Sequence, residues 1–194
     1  MKKLIATAVL CAIPATAVFA GEDPLSQRAN DSREVIQQFA QQLQGELGRA
    51  MGSGGPVAAI EVCQQEAPGI AAAMSSQHGW TVGRTTDKLR NPDNAPDAWE
   101  AEVLAQFAER IEQGEPAMGM SHYEVVSQNG REVFRFMSAI GMPPMEQAPC
   151  LMCHGTDIRA DVKAKLDELY PNDQALNYRP GMLRGAFTIS QPMD

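Results

Sequence analysis

His122-Tyr123-Glu124-Val125-Val126-Ser127-Gln128-Asn129-Gly130-Arg131-Glu132-Val133-Phe134-Arg135-Phe136-Met137-Ser138-Ala139-Ile140 is the stretch on which the fold is read. Two runs with alternating apolar character flank Asn129-Gly130, a dipeptide that signals a tight hairpin turn. An antiparallel pair is therefore expected, one strand over His122 to Gln128 and the other over Glu132 to Ile140. Working outward, Trp80 to Thr86 and Gly185 to Ser190 read as further strands. Between Pro96 and Gly114, apolar Trp99, Val103, Phe107 and Ile111 fall at every fourth position, the stripe of a helix with one buried face. A short helix is expected around Val162 to Leu169. The pattern is an α+β domain, an antiparallel sheet covered by helices.

The N-terminal half of the chain is helical in pattern. Asp31 with Glu34 offers a capping box, and Ile36, Phe39, Leu43 and Leu47 then recur at helical spacing, predicting an amphipathic helix from residue 32 to about 51. Gly52-Ser53-Gly54-Gly55 is expected to end it, with Pro56 opening a second helix over Val57 to Glu66. Ile60, Cys63 and Ala67 share one apolar face of that helix, which predicts a buried Cys63. Pro68 is expected to interrupt, and a short helix carrying Ile70, Ala71 and Met74 inward should stop at Gly79. Residues 21–31 read as a flexible leader and residues 32–194 as a single domain. Residues 1–20 read as a cleaved signal peptide, with Lys2 and Lys3 before an apolar run and small Val18 and Ala20 at the cut site. Cys11 lies within that run. The remaining 174 residues contain no apolar segment long enough to span a bilayer, so an exported, periplasmic location is expected.

Charge narrows the partners. The formal balance is −8, and loss of Lys2 and Lys3 leaves 14 basic against 24 acidic side chains, or −10. Such a surface argues against nucleic acid and anionic membrane, and permits docking to a basic patch on another protein. Without Cys11 three cysteines remain, Cys63, Cys150 and Cys153. An odd number in an exported chain cannot all pair internally.

Cys150-Leu151-Met152-Cys153-His154 supplies a use for two of them. Two thiols separated by two residues can add across the two vinyl groups of haem, and the imidazole that follows reaches the iron from the same side. C-x-x-C-H is thus the attachment pattern of c-type haem, with His154 as an axial ligand, and one such segment implies one haem. A redox disulfide would lack the βαβ setting of thioredoxin-like proteins, and zinc would want ligands in two spaced pairs. For the opposite side of the iron the candidates are His78, His122, any of several methionines, Cys63, or no ligand at all. His78 falls at a helix C-terminus, His122 at a strand start, and a helical Met is most often core. On its own residues Cys63 reads as a buried, inert thiol, and a catalytic thiol has no neighbouring His in sequence to support it.

Several motifs occur in order along the chain: Cys63 to Pro68; Arg84-Thr85-Thr86 leading to Leu89-Arg90-Asn91-Pro92 and on through Asn94, Pro96, Trp99 and Glu100; Cys150 to Gly155; and Gly181-Met182-Leu183-Arg184-Gly185-Ala186. Together, from about residue 35 to 190, they resemble a family of single-haem c-type proteins with a PAS-like fold, often described only as a domain of unknown function. The resemblance implies a PAS-like antiparallel sheet flanked by helices, one haem c, and His/Cys axial ligation. By matching position His154 is the proximal ligand and Cys63 the distal thiolate. Arg84, Arg90 and Arg184 are candidate partners for the two haem propionates, because guanidinium forks bind carboxylates in pairs.

A thiolate ligand stabilises ferric iron and implies a low potential. With both axial positions filled, peroxide and oxygen chemistry lack an open site. No Ser/His/Asp, paired-carboxylate or phosphate-loop constellation suggests another reaction, so the expectation is not an enzyme. It is an electron-transfer or redox protein with a redox partner protein, the alternative being a haem-based redox or diatomic-gas sensor acting through a separate partner.

Overall fold

The hairpin forms as its turn residues require. Gln128 pairs with Arg131, and Asn129 and Gly130 take φ of 55° and 77°, both positive, as a two-residue turn between twisted strands demands. A computed structural model describes residues 23–193, so the proposed signal peptide and Cys11 lie outside the described residues. The elements in chain order are α1 (Pro24–His78), β1 (Thr81–Thr85), a 3-10 turn (Pro92–Asn94), α2 (Ala98–Glu112), β2 (Ser121–Gln128), β3 (Arg131–Gly141), α3 (Leu151–His154), α4 (Ala160–Leu169) and β4 (Leu183–Pro192). The four strands form one antiparallel sheet in the order β1-β4-β3-β2. The last strand therefore sits between the first strand and the hairpin. This is a PAS-like α+β arrangement, as expected.

Alternation along the strands builds two cores. Phe134 and Phe136 of β3, Val82 of β1 and Ile189 of β4 face α1, where they bury Val35, Ile36 and Phe39. Met137 and Ala186 point the other way and pack on Val103, Leu104 and Phe107 of α2. The predicted stripe of α2 is the one buried, and its start is fixed by a capping box, Asp97 with Glu100, that the motif reading left unused.

The N-terminal helix differs most from expectation. Residues 24–31, expected to be a flexible leader, are the first turns of α1, capped by Asp23, whose carboxylate accepts from the Ser26 N–H. They are helical because they are pinned to β4: Arg28 donates to Gln191 Oε1 and the Pro192 carbonyl, and Gln191 Nε2 donates to buried Ser32. The Asp31–Glu34 box is not used as a cap. The three helices expected up to Gly79 are one helical run with a single kink at Gly55 (φ 68°, ψ −162°), directly before Pro56. Pro68 stays inside the helix on its exposed side, where water can satisfy the carbonyl its ring frees. Gly79, at φ 68°, closes the run as expected. None of the described helices is long and apolar enough to cross a membrane.

Candidate functional site

The Cys150–His154 segment forms a single helical turn beyond the far end of the sheet from the hairpin. Cys150 already has helical φ and ψ, so its side chain and that of Cys153, three residues on, share one face. Cys150 packs with Met142, Ala175 and Tyr178, while Cys153 packs with Ile60, Val162, Leu166 and Tyr170. All three described cysteines are free thiols. Gly155 is required by the tightness of the turn, since a Cβ there would stand 2.5 Å from the Leu151 carbonyl oxygen.

His154 is held as a donor. Its Nδ1 lies 2.8 Å from the Ala175 carbonyl, which can only accept, so the ring proton is on Nδ1 and Nε2 carries the lone pair. Burial, followed by the charges of Arg90 and Arg184, holds the imidazole pKa well below its ordinary value, which keeps the ring neutral. The Tyr178 ring stands edge-on to it at 6.2 Å, and the Tyr178 N–H donates to the His154 carbonyl at 2.9 Å.

Cys63 comes to the same place from α1. Beyond the Gly55 kink, Val57 and Ile60 pack on Val162 and Leu166 of α4, in the cluster that also holds Cys153. Ile60 and Ala67 are buried as predicted, but Cys63 itself is only half-buried. Desolvation raises its pKa, and the guanidinium charges of Arg84, Arg90 and Arg184 oppose that rise. Desolvation raises the pKa of Cys150 and Cys153 as well, that of Cys153 to about 11. Residues from α1, β1, α3, β4 and two loops thus converge at one end of the sheet.

The three arginines divide. Arg90 is committed to the protein: its side chain and that of Asp173 are 8% and 4% exposed and joined at 2.8 and 3.0 Å, and it also donates to the Cys153 carbonyl at 2.6 Å. It acts as a strut that fixes α3 against the 173–175 loop. Arg84 and Arg184 make no ion pair with any carboxylate among the described residues. Arg84 lies over the Phe39 ring at 5.7 Å, and Arg184 donates to Thr86 Oγ1 at 3.2 Å and lies over the Tyr178 ring at 5.5 Å. Burial lowers the pKa of both.

The remaining candidates are elsewhere. His78 stacks on Trp80 at the C-terminus of α1, about 22 Å along the helix from Cys63 at 1.5 Å per residue. His122 meets Glu124 and Trp99 on the edge strand. A groove of about 550 Å³, lined in part by Trp80, Arg131, Glu132 and Ser190, lies at the hairpin end of the sheet and includes none of the cysteine site. Thr86, from the Arg84-Thr85-Thr86 motif, belongs to the site; Tyr178, Asp173 and the Ala175 carbonyl belong to it too but escaped the sequence reading. None of these three sits in a recognisable spacing, although Tyr178 lies within three residues of the Gly181–Ala186 motif.

A PAS-like sheet with a C-x-x-C-H turn at one end, facing a cysteine-bearing helix, defines the class of protein. Residues 20–192 match the Tll0287-like family, described as Tll0287, and the chain belongs to that family. It is similar in fold to the crystal structure of the cyanobacterial heme-protein Tll0287, at 22% identity and a TM-score of 0.62, over 89% of this chain and 98% of that one. No curated protein matches the chain.

Proposed function

We propose that the chain carries one haem, attached covalently through Cys150 and Cys153 and ligated by His154 Nε2 and the Cys63 thiolate. The observation that supports it most is the packing of the Cys63-bearing stretch of α1 against the Cys150–His154 turn, Val57 and Ile60 sharing one cluster with Cys153, while His154 has its Nε2 lone pair unused. The residues fit the group in other ways. Two thiols on one face of a turn suit two vinyl carbons, each S–H adding across a double bond. Arg84 and Arg184 are desolvated cations without a carboxylate, and haem brings two. The similar cyanobacterial protein is described as a heme-protein.

When bound, haem supplies an iron that changes by one electron. The protein's residues then set its properties. The Ala175 carbonyl orients His154 and raises its basicity. The three guanidiniums oppose the desolvation that raises the Cys63 pKa, iron binding would supply the rest of the drive to thiolate, and thiolate donation favours ferric iron and a low potential. Ile60 and its partners limit water at the cysteine side. With both axial positions held, the role is electron transfer with a partner protein after export, rather than catalysis. The sensor reading rests on one feature: Cys63 and the face covering the sheet belong to the same helical run, so release of Cys63 would be felt along α1.

The test is absorption and paramagnetic resonance spectroscopy of exported wild type beside Cys63→Ala. Both should retain covalent haem on a denaturing gel, and the variant should lose the thiolate-ligated low-spin ferric signature. An unchanged spectrum in Cys63→Ala would sink the distal assignment. Rapid carbon monoxide binding by reduced wild type would favour the sensor.

A further inference from the structure

His154 ends a turn whose last carbonyls have no partner within it, as at any helix C-terminus. Three donors from outside meet them in succession. Arg90 Nη2 donates to the Cys153 carbonyl at 2.6 Å, the Tyr178 N–H to that of His154 at 2.9 Å, and the Asn177 N–H to that of Gly155 at 3.0 Å. The His154 side chain turns to the same loop, where its Nδ1–H finds the carbonyl of fully buried Ala175. Asp173 holds that carbonyl in place. Its Oδ1 accepts from the Ala175 N–H at 2.8 Å, and its Oδ2 accepts from Arg90 Nε and Nη2 at 3.0 and 2.8 Å. The Gln174 N–H donates to the Leu89 carbonyl at 2.7 Å, which ties the loop to the segment that carries Arg90. One carboxylate therefore links the acceptor of the His154 ring to the cation that grips the residue before it.

A buried ion pair adds little net stability, because desolvation offsets the attraction. The geometry of this one shows what it adds instead. The two oxygens of Asp173 serve two different donors, the Ala175 N–H and Arg90, and a side-chain amide has only one acceptor oxygen. We propose that Asp173, acting with Arg90, is the positioning residue of His154: the pair keeps the ring proton on Nδ1 and fixes the plane in which Nε2 is presented. The inference rests on the haem reading above and deepens it, since it gives the orientation of the iron ligand to two residues outside the ligand set.

The test is hydrogen exchange followed by NMR on the reduced, haem-loaded protein, with a redox titration beside it, in wild type, Asp173→Asn and Arg90→Lys. Asp173→Asn is nearly isosteric but cannot serve Arg90 and the Ala175 N–H together. The His154 Nδ1–H should then exchange about tenfold faster, the loss of one hydrogen bond, while the amides of β3 exchange as in wild type. The midpoint potential should rise, because a weaker Nδ1 hydrogen bond makes His154 a poorer donor to ferric iron. Arg90→Lys keeps the charge and gives up the Nε contact. It should move the same signals in the same direction by less, and it decides the matter if Asp173→Asn does not fold. His154 exchange and midpoint unchanged in both variants reduces the pair to a staple between two loops and overturns the inference. Exchange that quickens equally at β3 overturns it too, since that is general loosening. Wild type without covalent haem overturns the haem reading alone, and the same exchange comparison on the haem-free chain then decides the role of Asp173.

Discussion

Two arginine environments lie on this one sheet, one buried and one half-buried, and they are built in opposite ways. Under α2, Arg135 is 5% exposed and its charge is met, although its Nε finds no acceptor: Asp97 lies at 2.5 Å, Glu100 at 2.9 Å, and the Trp99 ring at 4.4 Å, with Thr188 donating to Glu100 at 2.7 Å. At the cysteine end, Arg84 and Arg184 are desolvated without a carboxylate. Burial of a cation is tolerable only where its charge is met. Arg135 is met by the fold itself. Arg84 and Arg184 have no carboxylate partner among the described residues, and in the proposed reading haem supplies it, which would make the first end architecture and the second a site.

The largest effect that would test the contrast is on the architectural side. Replacing Arg135 by Met leaves Glu100 buried beside Thr188 without its cation, a loss of about 3–5 kcal/mol for breaking a buried pair from one side. Chemical denaturation should show that loss with and without haem, and the haem spectrum should not move. Adding Glu100→Leu should recover much of it. A small effect from Arg135→Met alone would mean that the Arg135 network is no more structural than the Arg84–Arg184 end.

At the site end the sign should depend on the ligand. In haem-free protein, made by replacing Cys150 and Cys153 with Ser, Arg84→Met removes a half-buried charge with no carboxylate partner and should raise stability by up to about 1 kcal/mol, less what its contact with Phe39 contributes. In haem-loaded protein, if Arg84 meets a propionate as proposed, the same change should lower stability. Parallel denaturation curves of the two forms check this, and the same sign in both would break the distinction between paired and waiting cations.

How much of this was legible in the residues follows the same division. The hairpin, the α2 stripe and the Gly79 stop were readable because each is written in a few adjacent residues: a positive-φ dipeptide, a fourfold repeat, a glycine cap. The start of α1 was not, because residues 24–31 are held by Gln191 and Pro192, more than 160 positions away, and local pattern carries no trace of that. Pro68 looked like a break because a proline in isolation costs a helix bond, whereas here the freed carbonyl faces water. At the site, the cysteine spacing and His154 announced themselves. The difference between Arg90 and the other two arginines did not, since only the fold brings Asp173 to Arg90 and leaves Arg84 and Arg184 without a carboxylate.

The smallest effect lies at the rim of the Arg135 network. Trp99, whose ring covers Arg135, donates its indole N–H to Glu124 Oε1 at 2.8 Å, and His122 approaches the same oxygen at 3.3 Å. The Trp99 hydrogen bond, then that of His122, lowers the Glu124 carboxyl pKa. A group whose pKa is lower in the folded state adds stability above its ordinary range and loses it as pH falls through the lowered value. Glu124 therefore contributes to stability at neutral pH and gives that contribution up on the acid side. Its side chain is half exposed, so solvent screening limits the amount to a few tenths of a kcal/mol. Glu124→Gln should flatten the acid limb of the stability profile by that much, and Trp99→Phe should return the Glu124 titration toward the ordinary carboxylate range in a carboxyl-detected NMR experiment. A Glu124 titration unmoved by Trp99→Phe would detach this rim from the buried network and confine the network to Asp97, Glu100 and Thr188.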